Sequence, residues 1–243
     1  MNVIVMKNAD EVCKRASELI GNVVKENKNA FLGLATGGTA EKVYSYLVED
    51  YKNGNLDFSN CETINLDEYI GISEDHPQSY GTYMNERFFN HINIKKENTY
   101  VPVTTGDIQK ELKKIDEMIN SHGGADIQLL GVGVNGHIAF NEPSEKLNSK
   151  ANVVDLNEET IKANSRFFNS IDEVPKKALS LGIGDILKSK KIVLIAFGKE
   201  KKDAIKELLK NDFITTNCPC TFLKAHRDVT IIIDKEISDE IGI

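Results

Sequence analysis

Three short segments of the 243-residue chain bring together residue types that do chemistry. In Leu34-Ala35-Thr36-Gly37-Gly38-Thr39, two adjacent glycines let the backbone turn and present N–H groups just ahead of a helix-period segment. Thr36 and Thr39 add hydroxyl donors, and the combination suits an anion such as a phosphate. It is neither the GxxxxGK[ST] nucleotide loop nor GxGxxG. In Ile64-Asn65-Leu66-Asp67, a carboxylate directly follows an apolar strand, so it should project over the sheet edge, where it can act as a general base. In Gly131-Val132-Gly133-Val134-Asn135-Gly136-His137, an imidazole stands just past a buried run. The amide of Asn135 precedes it by two residues and the carboxylate of Glu142 follows by five, a grouping able to move protons. His137 and Glu142 do not form HExxH, and no metal is expected. Each segment alone also has a plainer reading. The first is a tight strand-to-helix turn capped by Thr39, Asp67 a turn or cap residue, and His137 a capping or core histidine beside a surface glutamate. Taken together on one sheet edge, they point to acid–base chemistry on a sugar phosphate.

Positioning these residues requires elements that end at one edge. Apolar runs at 2–6, 31–35, 63–66, 127–134, 179–183, 191–197 and 229–233 read as strands. Helix periodicity covers 9–25, 79–91, 108–120 and 201–210, and a further helix carries Ala40, Val43, Tyr44, Leu47 and Val48 on one face. A polar loop is expected from 67 to Pro77. The alternation predicts one α/β domain over residues 1–243, a mainly parallel, doubly wound, Rossmann-like sheet with helices on both faces. Ligands of such sheets bind beyond the carboxyl ends of the strands, near a switch point in strand order.

Composition narrows the classes. Lys and Arg total 30 against 37 Asp and Glu, a formal charge of −7 that argues against nucleic acid as a partner. An apolar fraction of 40% with 17 glycines fits a globular chain and excludes disorder. The longest apolar run, 192–197, is far short of the about 20 residues a membrane helix needs. Lys7 and Asp10 interrupt any secretory leader, so a cytoplasmic location is expected. Cys13 and Cys61 read as small buried apolar residues. Cys218-Pro219-Cys220 lacks a second Cys/His pair at zinc spacing and reads as structural. Lysines at 188–191 and 199–202, without interleaved aromatics, read as solvated helix ends.

The strings LGLATGGT, NLDEYIG, HPQSY, GVGVNGHIAFNEP and ANSRFF, with the lysine segment after IAFG, resemble the glucosamine-6-phosphate deaminase family over nearly the whole chain. The resemblance implies an isomerising, hydrolytic deamination in amino-sugar catabolism, which yields fructose 6-phosphate and ammonia without a cofactor. It implies that His137 opens the sugar ring, that Glu142 and Asn135 orient and tune it, and that Asp67 moves a proton from carbon 2 to carbon 1. It further implies that Thr36, Gly37, Gly38, Thr39, Arg166 and Lys201 hold the phosphate. Lys199 and Lys202 compete with Lys201 for that role. The partner implied is a small molecule, with the protein a monomer or homo-oligomer. Two rivals share features. A 6-phosphogluconolactonase needs no Asp67 base and lacks the FNEP string, and a non-catalytic sugar-phosphate sensor needs an appended DNA-binding module. The chain departs from many members by Asn135 in place of Asp. Where regulated hexameric members carry basic residues it has Asn152 and Val154, and it stops soon after its last strand. Activation by N-acetylglucosamine 6-phosphate is therefore not expected.

Overall fold

Apolar runs such as Ile192-Val193-Leu194-Ile195-Ala196, buried at every position, form strands that need cover on both faces. The computed structural model describes residues 1–162 and 164–243. Its strands are β1 (Asn2–Met6), β2 (Phe31–Leu34), β3 (Glu62–Asn65), β4 (Asp67–Ile70), β5 (Thr99–Tyr100), β6 (Ile127–Leu130), β7 (Asn152–Asp155), β8 (Lys177–Ser180), β9 (Ile192–Ala196) and β10 (Val229–Asp234). The helices are α1 (Ala9–Glu26), α2 (Gly38–Lys52), α3 (Tyr80–Arg87), α4 (Ile108–His122), α5 (Glu158–Asn164), α6 (Ile183–Leu187), α7 (Lys202–Lys210) and α8 (Lys235–Ile241).

Seven strands make one parallel sheet in the order β1-β10-β9-β6-β2-β3-β5. From β2 the chain steps outward to β3 and β5. It then returns to β6, beside β2, and steps the other way to β9 and β10. That reversal opens a crevice beyond the carboxyl ends of β2 and β6, the place where such sheets bind ligands. Helix α1 packs on α2 and on β9 and β10, while α7 packs on α8. The buried face of α2 is Ala40, Val43, Tyr44, Leu47 and Val48, as its spacing requires. Tyr44 stacks on Phe88 at 4.9 Å, and Phe58 meets Phe88 edge-on at 5.5 Å.

The helix expected over 79–91 ends at Arg87, and β5, β7, α5 and α8 were not expected; three further differences from the sequence expectation shape the crevice. β4, β8 and β7 form a separate antiparallel sheet, with Asp67 opposite Ser180 and Asn152 opposite Ser180 on its other side. The strand expected over 179–183 therefore ends at Ser180, and Ile183 starts α6 after Gly182. The run 127–134 stops at Leu130, because Gly131 and Gly133 let the backbone leave the sheet for the crevice. In place of a polar loop from Asp67 onward, the chain crosses from β3 into β4, tied by Leu66 N–H donating to Leu34 O at 3.1 Å and Leu181 N–H donating to Leu66 O at 2.8 Å. The small sheet has its own core of Tyr69, Phe140, Leu156 and Ala178, against which Tyr80 and Phe168 pack.

Candidate active site

A cleft of about 230 Å³ occupies the crevice. Thr36, Gly37, Gly38, Thr39, Asp67, Asn135, His137, Arg166 and Lys201 all line it. Glu142 does not line it but stands behind His137.

The turn after β2 presents backbone. Gly37 caps α2 with φ +96°, a conformation that L side chains rarely adopt, and no side chain caps the helix. In the first turn Ala40 N–H donates to Gly37 O at 3.1 Å, whereas among the described residues the N–H groups of Gly38 and Thr39 have no acceptor, and the helix dipole makes that end positive. The cap is Gly37, and Thr39 lies within the first turn. Tyr83 Oη donates to Gly37 O at 2.8 Å and the Tyr44 hydroxyl donates to Ala35 O, which pins the turn to α3 and α2. Two cations join it. Arg166 is exposed and lies over the Phe167 ring at 4.7 Å. Lys201 is half-buried, and burial, with Arg166 nearby, holds its ammonium below the usual lysine range despite Glu200. An anion bound between two such cations relieves that strain.

The second group is a closed triangle. Asn135 Oδ1 accepts from His137 Nδ1 at 2.8 Å, and Asn135 Nδ2 donates to Glu142 Oε2 at 2.9 Å. His137 Nδ1 lies 3.2 Å from the same Glu142 oxygen. Both neighbours of Nδ1 are acceptors, which assigns its proton there and leaves Nε2 free to accept. The imidazole packs flat on the backbone of Gly133, where a Cβ would lie 2.3 Å from the ring. Ala139, also lining the cleft, holds φ +50°, a strained value in the loop that carries the triangle. Glu142 is 8% exposed, unlike a surface glutamate. The Thr160 hydroxyl donates to its Oε1, and Asn157 Nδ2 donates to Oε2 at 3.2 Å. Burial would raise its pKa, but the hydrogen bonds from His137, Thr160 and Asn135 prevail and hold it below the usual carboxylate range.

Asp67 is the third group. The sequence places it on an open sheet edge, whereas it is 7% exposed, at the junction of the two sheets. Among the described residues nothing donates a hydrogen bond to its carboxylate. Burial, and then the adjacent Glu68, push its pKa up to about 8. Sequence reasoning assigned no role to Glu68. Its carboxylate accepts from Tyr80 N–H at 2.8 Å and Gly81 N–H at 3.1 Å, anchoring the start of α3, and from its own neighbour Tyr69 N–H at 2.8 Å. The acid pair in LDEY, read with the HPQSY string ahead of α3, was the available signal. Thr160 and Asn157 were missed as well.

A family model described as glucosamine-6-phosphate isomerases/6-phosphogluconolactonase matches residues 6–232. A glucosamine-6-phosphate deaminase of Thermoanaerobacter sp. (strain X514) is 54% identical over 237 residues, 97% of this chain and 93% of that protein. One from Clostridium beijerinckii is 49% identical over 242 residues, 99% of this chain and 100% of the relative. A solved structure of a monomeric glucosamine-6-phosphate deaminase superposes with TM-score 0.95 at 44% identity, covering 98% and 99% of the two chains. A 6-phosphogluconolactonase from Trypanosoma brucei shares the fold, with TM-score 0.80 at 17% identity over 99% and 98% of the chains.

Proposed function

The chain belongs to the glucosamine-6-phosphate isomerase/6-phosphogluconolactonase family, and on that premise we infer that it is a glucosamine-6-phosphate deaminase. One observation carries the reading. A single cleft joins a backbone anion cradle to a buried carboxylate that accepts no hydrogen bond among the described residues and an imidazole with one oriented nitrogen.

In the proposed scheme the phosphate of the substrate sits on the turn Thr36-Gly37-Gly38-Thr39, with Arg166 giving a forked contact and Lys201 a point charge. His137 Nε2 accepts the anomeric hydroxyl proton and returns it to the ring oxygen, which opens the ring. Glu142 stabilises the imidazolium formed in that step, and Asn135 holds both groups. Asp67 then removes the proton on carbon 2 of the open chain and delivers it to carbon 1. As it does so the carbon 1 oxygen takes up a proton and the amino nitrogen gives one up, so the amino-aldehyde passes through an enolamine to a ketimine at carbon 2 with its hydrogens conserved. Water adds to that carbon and ammonia leaves, so one water is consumed and fructose 6-phosphate is released. The hydrolytic half of the reaction is this last exchange. Ring opening and the carbon-to-carbon proton transfer use side chains of this chain, and neither requires a metal.

The whole scheme sits in one domain spanning residues 1–243. Every group in it comes from one chain, so a monomer is sufficient for catalysis. Substrate and product are phosphorylated sugars, which are charged and retained in the cytoplasm, and we place the enzyme there in amino-sugar catabolism. A substrate panel tests the reading. Ammonia release from glucosamine 6-phosphate should exceed release from unphosphorylated glucosamine by orders of magnitude, since each charge-assisted contact contributes on the order of 1.5–3 kcal/mol. Comparable hydrolysis of 6-phosphogluconolactone would support the rival activity instead.

A further inference from the structure

Cys218 and Cys220 lie outside the machinery of the proposed scheme yet touch it at two points. Both are buried, and their Sγ atoms are 3.6 Å apart. Pro219 between them starts the 3-10 helix Pro219–Ala225, which fixes the backbone that presents the pair. Cys220 N–H donates to Gly136 O at 2.8 Å. Cys218 Sγ fills the space beside Gly136, where a Cβ would lie 2.3 Å from the sulfur. Gly136 is the residue between Asn135 and His137. On its other side, Cys220 Sγ lies 3.7 Å from Ala204 O in α7, the helix entered just after Lys201.

We propose that Cys218 and Cys220 form a redox modification site for small hydroperoxides, a vicinal dithiol whose disulfide form displaces the Gly136 turn and with it His137. Cys218 is 7% exposed and Cys220 is fully buried, so a small oxidant reaches Cys218 first. The Cys218 thiolate attacks one oxygen of the hydroperoxide. The O–O bond breaks, Cys218 becomes a sulfenic acid, and the departing oxygen takes a proton and leaves as the alcohol, or as water for hydrogen peroxide. The Cys220 sulfur then attacks Cys218 Sγ. An S–S bond forms, and the sulfenic oxygen leaves as water with the Cys220 proton. Two thiol hydrogens and two electrons are lost by the protein and gained by the peroxide. The hydrogen bond from Cys220 holds the Cys218 thiol below the ordinary range and pushes Cys220 up, which suits attacking and resolving roles. The new bond is about 2.05 Å long, so the sulfurs must close from 3.6 Å. A packed contact transmits that movement to Gly136, and a shift of about 1 Å in a catalytic group costs on the order of 10²-fold.

The rate readout rests on the role proposed for His137, whereas the thiol chemistry does not. The full chain is treated with hydrogen peroxide, alkylated and peptide-mapped, and ammonia release is measured in parallel. A Cys218–Cys220 disulfide should form, with the rate falling about 10- to 100-fold, and dithiothreitol should reverse both. Cys218→Ala should keep the reduced rate and resist peroxide. Should that variant fold poorly, Cys220→Ala should accumulate a dimedone-trapped sulfenic acid on Cys218. Absence of the disulfide, a disulfide with an unchanged rate, peroxide sensitivity surviving in Cys218→Ala, or no dimedone adduct in Cys220→Ala overturns the proposal. A reduced enzyme that releases no ammonia contradicts the deaminase reading instead, and the mapping still decides the thiol chemistry.

Discussion

A carboxylate that takes a proton from carbon must be ionised, yet burial and Glu68 push Asp67 up to about pKa 8. Raising the pKa also makes the carboxylate a stronger base once ionised. The kcat/KM profile of the free enzyme should therefore fall on the acid side with a limb near pH 8. Glu68→Gln removes the adjacent charge and should move that limb to lower pH. An unmoved limb would mean that Glu68 only anchors α3. The same shift bears on stability. The native state holds the Asp67 proton to about pH 8, whereas the unfolded chain loses it near about 3.9. Between these values the native state binds more protons, so stability from this site is lost as pH rises and is fully lost above about pH 8. Asp67→Asn should accordingly raise the thermal midpoint at pH 9 while it removes the base. Asn135 shows the opposite economy. Its amide accepts from the imidazole and donates to Glu142, a pairing that an aspartate could make only by placing two like charges together.

At the scale of elements, α5 and the turn after it connect the two halves of the cleft. Asn157, just before α5, and Thr160 within it hold Glu142, and Arg166 in the following turn lines the cleft. Thr160→Val keeps the shape but leaves Glu142 Oε1 without that donor. A hydrogen bond to a charged group is worth about 1.5–3 kcal/mol, so kcat should fall roughly 10- to 100-fold, with Thr160→Ser recovering most of it. A wild-type rate in Thr160→Val would remove Thr160 from the positioning of Glu142. Six of the seven parallel strands were legible as apolar runs, whereas the two-residue β5, Thr99–Tyr100, was too short to read, and the cradle and the imidazole were legible from their glycines and their place after β2 and β6. The small sheet was not. Asp67-Glu68-Tyr69-Ile70 opens on two acids and mimics a loop, and its one partner, β8, starts 107 residues after Ile70, with β7 paired to the far side of β8. Thr160 was equally hidden, since a threonine in the polar stretch Glu158–Asn164 gives no sign of a carboxylate 18 residues earlier.

Over the whole molecule, a formal charge of −7 repels anionic substrates at long range, and attraction is left to the local field of Arg166, Lys201 and the start of α2. Asn152 and Val154 on β7 supply no cation. An effector must favour one of two states through its own contacts. Saturation by glucosamine 6-phosphate should thus be hyperbolic with or without N-acetylglucosamine 6-phosphate, and sigmoidal curves made hyperbolic by that compound would show a second anion site. The central claim is that Asp67 is the carbon base of a deaminase, and ammonia release from glucosamine 6-phosphate by wild type and by Asp67→Asn tests it most directly. Wild type should form ammonia and fructose 6-phosphate in equal amounts, and Asp67→Asn should be slower by about 10²–10⁴-fold with KM little changed. Near-wild-type turnover by Asp67→Asn, or no ammonia from the wild type, would contradict it.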